Sequence, residues 1–241
     1  MKIKKGVPGV FEKILWSAYA GAYDDLARHY KPYKELNSFI MSKLREYAVK
    51  NKKLFDAGCG TGELALSAAQ AGFEVTAADN CAAMLKIFYC KAKKKGINVN
   101  IIKADICRQN GFEPGVFGAV ACVHTLFAAD DKKVLLERLA GFTEPGGCLI
   151  IAHNRPADFK ELYRIEVAEN GSIGALKSFF RLFRVGVVNL ILSAFHRKVY
   201  GIMPSCEVAA ILCDKGFLQV SSDVMYRGMD DVMVFIKESK T

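Results

Sequence analysis

From Lys52 onward, short apolar runs alternate with longer segments in which apolar residues recur every three or four positions. The runs predict strands near 52–57, 73–79, 99–105, 118–124 and 148–153, and the helical spacing predicts helices near 62–71, 81–95 and 131–142. Such alternation implies a parallel sheet covered by helices on both faces. Glu144-Pro145-Gly146-Gly147 reads as the turn into the fifth strand. The last 35 or so residues give a helix, EVAAILCDKG, and then two strands, QVSSDVMYR and DDVMVFIKE, joined tightly at Gly228-Met229. Ahead of the first strand, residues 8–50 are helical in pattern, with Pro8 and Pro32 where helices begin.

The junction between the first strand and its helix carries the most specific signal. In LFDAGCGTG, Asp56 stands where a buried strand would emerge, and Gly58, Gly60 and Gly62 follow at alternate positions. Glycine allows a tight turn and a close backbone approach to a ligand. The second strand, FEVTAAD, ends on Asp79, the acidic position about 20 residues beyond the glycines that meets ribose hydroxyls in nucleotide-binding sheets. A dinucleotide fingerprint would place its third glycine at position 63, which is Glu63, and no GK[ST] phosphate loop occurs.

DAGCGTG followed by an acidic end to the second strand resembles the class I S-adenosylmethionine-dependent methyltransferases, and FTEPGGCLIIA resembles their fifth-strand motif. YDDLARHY, in which Tyr23, Asp24, Ala27 and Tyr30 match, resembles the segment before the glycine loop in the ubiquinone/menaquinone C-methyltransferases and their small-molecule relatives; Lys31 departs from it, as Gly118 does in the fourth strand. The resemblance covers about 50–154 and 205–238. It implies a Rossmann-like α/β fold, a doubly wound seven-stranded sheet of order 3-2-1-4-5-7-6 with the last strand antiparallel. It implies S-adenosylmethionine as cofactor, with Gly58 and Gly60 leaving room for its methionine part and Asp56 accepting from its ammonium. Asp79 would then take the ribose hydroxyls, Asn80 and Met84 would border the adenine, and Asp105 and the Ile106 amide would meet the adenine amino group. Tyr30 belongs to the segment that folds over the cofactor.

Transfer from a sulfonium rests mainly on alignment of acceptor and methyl, which can contribute on the order of 7–11 kcal/mol. His124 leaves the fourth strand on the ligand side of an open sheet and is the candidate catalytic residue, as general base or as a group orienting the acceptor. His153 and His29 are weaker candidates, and His196 reads as a helix-end residue.

The chain has 241 residues, 51% of them hydrophobic, and a net charge of +9. That charge suits anionic partners without specifying a fold. The basic run Lys91 to Gly96 reads as an exposed helix end, and KIKKG opens the chain. The eight cysteines stand singly, with no CxxC pair and no histidine at zinc spacing, so no metal site and a reducing cytoplasm are expected. No secretory signal pattern opens the sequence. The (N/D)PP(Y/F) motif of base-modifying relatives is absent, as is a Pro-Cys nucleophile, which lowers an RNA methyltransferase reading.

Residues 155–205 are too long to be structureless in a compact domain. Leu176, Phe179, Phe180, Phe183, Val187, Leu190, Ile191 and Ala194 recur at helical spacing, while Lys177, Arg181 and Arg184 share another face. The segment is too charged at its start to span a bilayer. It is expected to form a helical lid over the carboxyl ends of the strands, above His124, with membrane-surface contact through 173–195 as the competing reading. The whole is expected to be one domain, 1–241, with 1–50 as an N-terminal helical cap. Its expected activity is methyl transfer to a small, apolar acceptor, such as a quinone precursor or lipid, roofed by Phe179, Phe180, Phe183, Trp16 and Tyr19. The rivals are an RNA methyltransferase and a non-catalytic cofactor-binding protein of the same fold.

Overall fold

The computed structural model describes residues 10–109, 111–156, 158–196 and 201–239. Pro8 and the KIKKG run therefore lie outside the described residues. Two helices lead the chain, α1 (Val10–His29) and α2 (Lys31–Tyr47), the latter with Pro32 in its first turn. Then come β1 (Lys53–Ala57), α3 (Glu63–Gln70), β2 (Glu74–Asp79), α4 (Ala82–Lys95), β3 (Asn100–Lys103), β4 (Phe117–Val123), α5 (Lys132–Phe142) and β5 (Thr143–Asn154). The chain closes with α6 (Phe159–His196), α7 (Ser205–Cys213), β6 (Phe217–Met225) and β7 (Asp230–Lys237).

The seven strands form one sheet in the order β3-β2-β1-β4-β5-β7-β6. All pairings from β3 to β5 are parallel, and β7 runs antiparallel between β5 and β6. This is the expected doubly wound sheet. Alternation along β1 divides the core: Leu54 packs with Leu36, Ile40 and Phe88 on one face, and Phe55 with Leu135, Leu139 and Leu212 on the other. Phe55 also meets Phe112, Phe117 and Phe142 at centroid separations of 5.0–5.2 Å, a cluster in which each fully buried ring contributes on the order of 1.5–3 kcal/mol.

One local expectation is corrected. Glu144 to Gly147 is not a turn before the fifth strand but part of β5, where the pairing register shifts between Phe117 and Ala119 and Gly146 sits at φ 78°. Gly118 has a packing reason: a Cβ there would lie 2.1 Å from the Asn51 carbonyl oxygen. Asn51 is itself held by bonds from its side-chain amide to the Val116 carbonyl and the Glu144 carboxylate.

Segment 159–196 is helical, broken only at Gly171 (φ 66°, ψ 172°), and it packs along α1. Among the described residues no helix is long and apolar enough to cross a membrane.

Candidate functional site

The glycine loop needs its glycines for conformation as well as space. Gly58, Gly60 and Gly62 all have positive φ (70°, 52° and 81°), a region costly for side-chain-bearing residues. A Cβ on Gly58 would strike Thr125, and one on Gly62 would strike the Phe88 ring. The amides of Gly58 and Cys59 donate to the Ala78 carbonyl at 2.8 and 3.1 Å, which stitches the loop to the end of β2. There the Gly60 amide donates to Asp79 Oδ2 (2.9 Å) and the Cys81 amide to Asp79 Oδ1 (2.7 Å). Burial pushes the Asp79 carboxyl up, and these amides hold it back.

Asp79 lines a cleft at the carboxyl ends of the strands together with Gly58, Gly60, Asn80, Met84, Asp105, Ile106 and His124. Eight of the ten residues singled out from the sequence thus meet in one cavity. Asp105 accepts from the Cys107 amide at 3.1 Å, so it caps a turn as well as facing the cleft. Asp56 lies one layer deeper, in a small adjoining cavity with Gly58, Cys59, Tyr23 and Tyr33. It is buried, its Oδ2 has no partner among the described residues, and burial together with the Asp79 charge pushes its pKa up to about 7.

Tyr30 is the exception. It is buried outside the cleft, with its ring edge-on to Tyr226 at 5.4 Å, because it caps α2 and its side chain turns into the core. The aromatic residues that do line the cleft are Phe127 and, from one helical face of α1, Trp16, Tyr19 and Tyr23. Asp24, next to Tyr23, anchors that helix: it accepts from Lys91 Nζ at 2.9 Å and pairs with Arg28, while Lys91 also reaches Glu63. Burial opposes ionisation of Asp24, yet the two cations hold its carboxyl below the usual range. The roof is therefore tied to α4 and to the helix after the glycine loop.

The phenylalanines expected in that roof are elsewhere. Phe180 and Phe183 are exposed, and no described residue of α6 lines the cleft. The inward side of α6 is spent on α1 and the core, through Leu162, Ala175, Leu182 and Val185.

His124 is built into the opposite wall. It follows β4 with φ 51°, uncommon for a residue with a side chain, and its amide donates to the Ala152 carbonyl at 2.9 Å. This backbone turn carries the ring to Asp230, whose Oδ2 lies 2.5 Å from His124 Nε2. Asp230 is fully buried and also accepts from Asn154 Nδ2 at 3.3 Å. Burial would lower the imidazole pKa, but the adjacent carboxylate outweighs it and the net shift is upward. The ring stands edge-on to Tyr226 (5.1 Å) and near Tyr33 (6.0 Å), which in turn touches Tyr23 through their hydroxyls at 3.1 Å.

His153 and His29 lie outside the cleft. His153 is buried and its Nε2 lies 3.2 Å from Ser205 Oγ at the start of α7, and His29 is bound to the Asp25 carbonyl on its own helix. The side chain of His196 lies outside the described residues. Sequence reasoning missed Asp230, Tyr226 and Thr125. Thr125 Oγ1 bonds the carbonyls of Gly58 and Val123 and lines the cleft.

An open sheet of this strand order, with a glycine loop after β1 and acidic residues ending β2 and following β3, defines the class I S-adenosylmethionine-dependent methyltransferases. Residues 55–151 match the family model described as a methyltransferase domain, which together with the fold supports a class I S-adenosylmethionine-dependent methyltransferase. Among curated relatives, the ubiquinone biosynthesis O-methyltransferase of Pectobacterium carotovorum subsp. carotovorum (strain PC1) is 28% identical over 151 residues, 61% of this chain and 63% of that protein. The matched region thus spans less than two thirds of that relative's length. Among solved structures, the magnesium protoporphyrin IX methyltransferase of Synechocystis PCC 6803 with bound S-adenosylmethionine superposes with a TM-score of 0.60 at 15% identity, over 98% of this chain and all of that one. An S-adenosylmethionine-dependent methyltransferase of Clostridium acetobutylicum ATCC 824 gives 0.62 at 15% identity, over 93% and 99%. These two likenesses concern the fold.

Proposed function

We propose that the protein methylates a hydroxyl of a small aromatic acceptor, using S-adenosylmethionine, with His124 taking the proton. The residues fit that cofactor. Asp56 Oδ2 is a buried, unpartnered carboxylate oxygen of the kind an ammonium group would satisfy. Gly60 turns its missing side chain toward Tyr23 without any atom within 3.5 Å, so the loop leaves room where a ligand must pass. Asp79 would hold the ribose, Asn80, Met84, Asp105 and Ile106 the adenine, and Gly58 and Gly60 the amino-acid part. When bound, the cofactor supplies a methyl group already activated on a sulfonium.

The observation that carries the acceptor is the His124–Asp230 pair at the rim of an aromatic wall. Trp16, Tyr19 and Tyr23 present flat apolar faces suited to a ring, and Tyr23 stays a neutral phenol because burial raises its pKa well above the usual value. Asp230 fixes the imidazole through Nε2, which leaves Nδ1 as the nitrogen able to accept the acceptor's proton. A hydroxyl needs such a base, since an alcohol or phenol is a poor nucleophile until its proton leaves. The name of the Pectobacterium relative agrees with an oxygen acceptor. Incubating the protein with methyl-labelled cofactor and a panel of phenols, catechols, anilines and thiols tests the reading. Label on phenolic or catechol oxygen is expected, and label on nitrogen or sulfur alone would overturn it.

A further inference from the structure

We infer that the outward face of α6 docks the protein on an anionic lipid surface. Past Gly171 this helix has two apolar stripes. One, through Ala175, Leu182 and Val185, is settled against the fold. The other, Ile173, Leu176, Phe180, Phe183 and Leu190, follows the same three-and-four spacing but points away, with Ile173 74%, Leu176 71% and Phe183 67% exposed. A contiguous exposed stripe of large side chains marks a contact surface rather than ordinary scatter.

Charge selects the partner. Between Asn170 and Glu207 the sequence has no Asp or Glu and five basic residues, Lys177, Arg181, Arg184, Arg197 and Lys198. Lys177, Arg181 and Arg184 line a groove beside Leu176 and Phe180, with the Arg184 guanidinium 5.9 Å over the Phe180 ring. Asp25 of α1 closes the groove, at 3.3 Å from Arg181 Nε and 3.8 Å from Arg184 Nη1, and offsets part of that charge. A second copy of the chain would bring two faces with a basic excess together, which like-charge repulsion opposes. An anionic bilayer satisfies both features, burying the stripe among acyl chains while lipid phosphates meet Lys177 and the arginines. Because α6 packs along α1, the roof of the cleft would then sit at the lipid surface.

Co-sedimentation of the full chain with vesicles of phosphatidylcholine alone, or of phosphatidylcholine mixed with phosphatidylglycerol, tests this. Binding about tenfold or more tighter to the anionic vesicles, and weakened by salt, is expected from a few lysines and arginines near a charged surface. Phe180→Ser combined with Phe183→Ser should abolish it, and Lys177→Glu should weaken it severalfold. Both sites are exposed, so circular dichroism and cofactor affinity should stay as in the parent, which separates this inference from the methyl-transfer reading. Equal binding to both vesicles, no binding to either, or a lipid-free dimer that the double variant dissolves would each overturn it.

Discussion

On the β1–β3 side of the cleft, the residues that would hold the cofactor all fall between Asp56 and Ile106, and all but Met84, in the first turn of α4, stand at or just past a strand end. On the other side, Trp16 to Tyr23, Tyr33, His124, Tyr226 and Asp230 come from five separate stretches, and the central pair is 106 residues apart in sequence. The first half is a property of a local strand–turn–helix unit repeated across a parallel sheet. The second exists only because α1 folds back over the strand ends and the β6–β7 hairpin inserts beside β5. A scaffold of this kind can keep one ligand half constant while the other varies, since the two share few elements.

Substitutions that separate the halves test the comparison, and the largest effect should come from the acceptor side. His124→Ala should lower turnover by about 10²–10⁴-fold, the usual worth of a positioned base. Cofactor affinity measured by calorimetry should be nearly unchanged. An equal loss of cofactor binding would show that the halves are not independent.

The reverse loss should follow Asp79→Ala. Removing a carboxylate that bonds the Gly60 and Cys81 amides should weaken cofactor binding by about 1–3 kcal/mol, the cost of charge-assisted hydrogen bonds. Undiminished affinity in the calorimeter would remove Asp79 from the site.

Within the cofactor half, pH gives a finer probe. Asp56, with its pKa raised to about 7, must be ionised to receive an ammonium. Cofactor affinity should therefore fall as pH drops below about 7, by up to about tenfold per unit. Binding above that pH should need no deprotonation of Asp56. Asp56→Asn should bind more weakly and lose this dependence; a parent whose affinity does not change from pH 8 to pH 6 would contradict it.

The smallest effect is a displaced pH limb on the acceptor side. His124 acts as base only when neutral, and its pKa is raised above 6.5, so turnover at saturating cofactor should rise with pH through that raised value. In Asp230→Asn burial acts without the carboxylate, and the limb should move to lower pH. An unmoved limb would mean that another group titrates.

The sequence by itself determined the sheet and one half of the site. Apolar runs of strand length, helices of matching period and three alternate glycines leave little choice of architecture, because burying both sheet faces demands this layering. Strand-end carboxylates at 79 and 105 follow from the same local geometry. Tertiary structure decided the rest. Tyr30 looked like a cleft residue from its motif but turned inward as the cap of α2, whereas Tyr23, about two turns earlier on α1, faces the ligand side. The phenylalanines of α6 have the same helical spacing whether they roof a pocket or face solvent, and only the packing of Leu182 and Val185 against the core settles which. Asp230 reads in the sequence as one acidic residue in a hairpin. Its pairing with His124 depends on antiparallel insertion of β7 beside β5 and on a left-handed turn at the end of β4, two long-range features that no local pattern encodes.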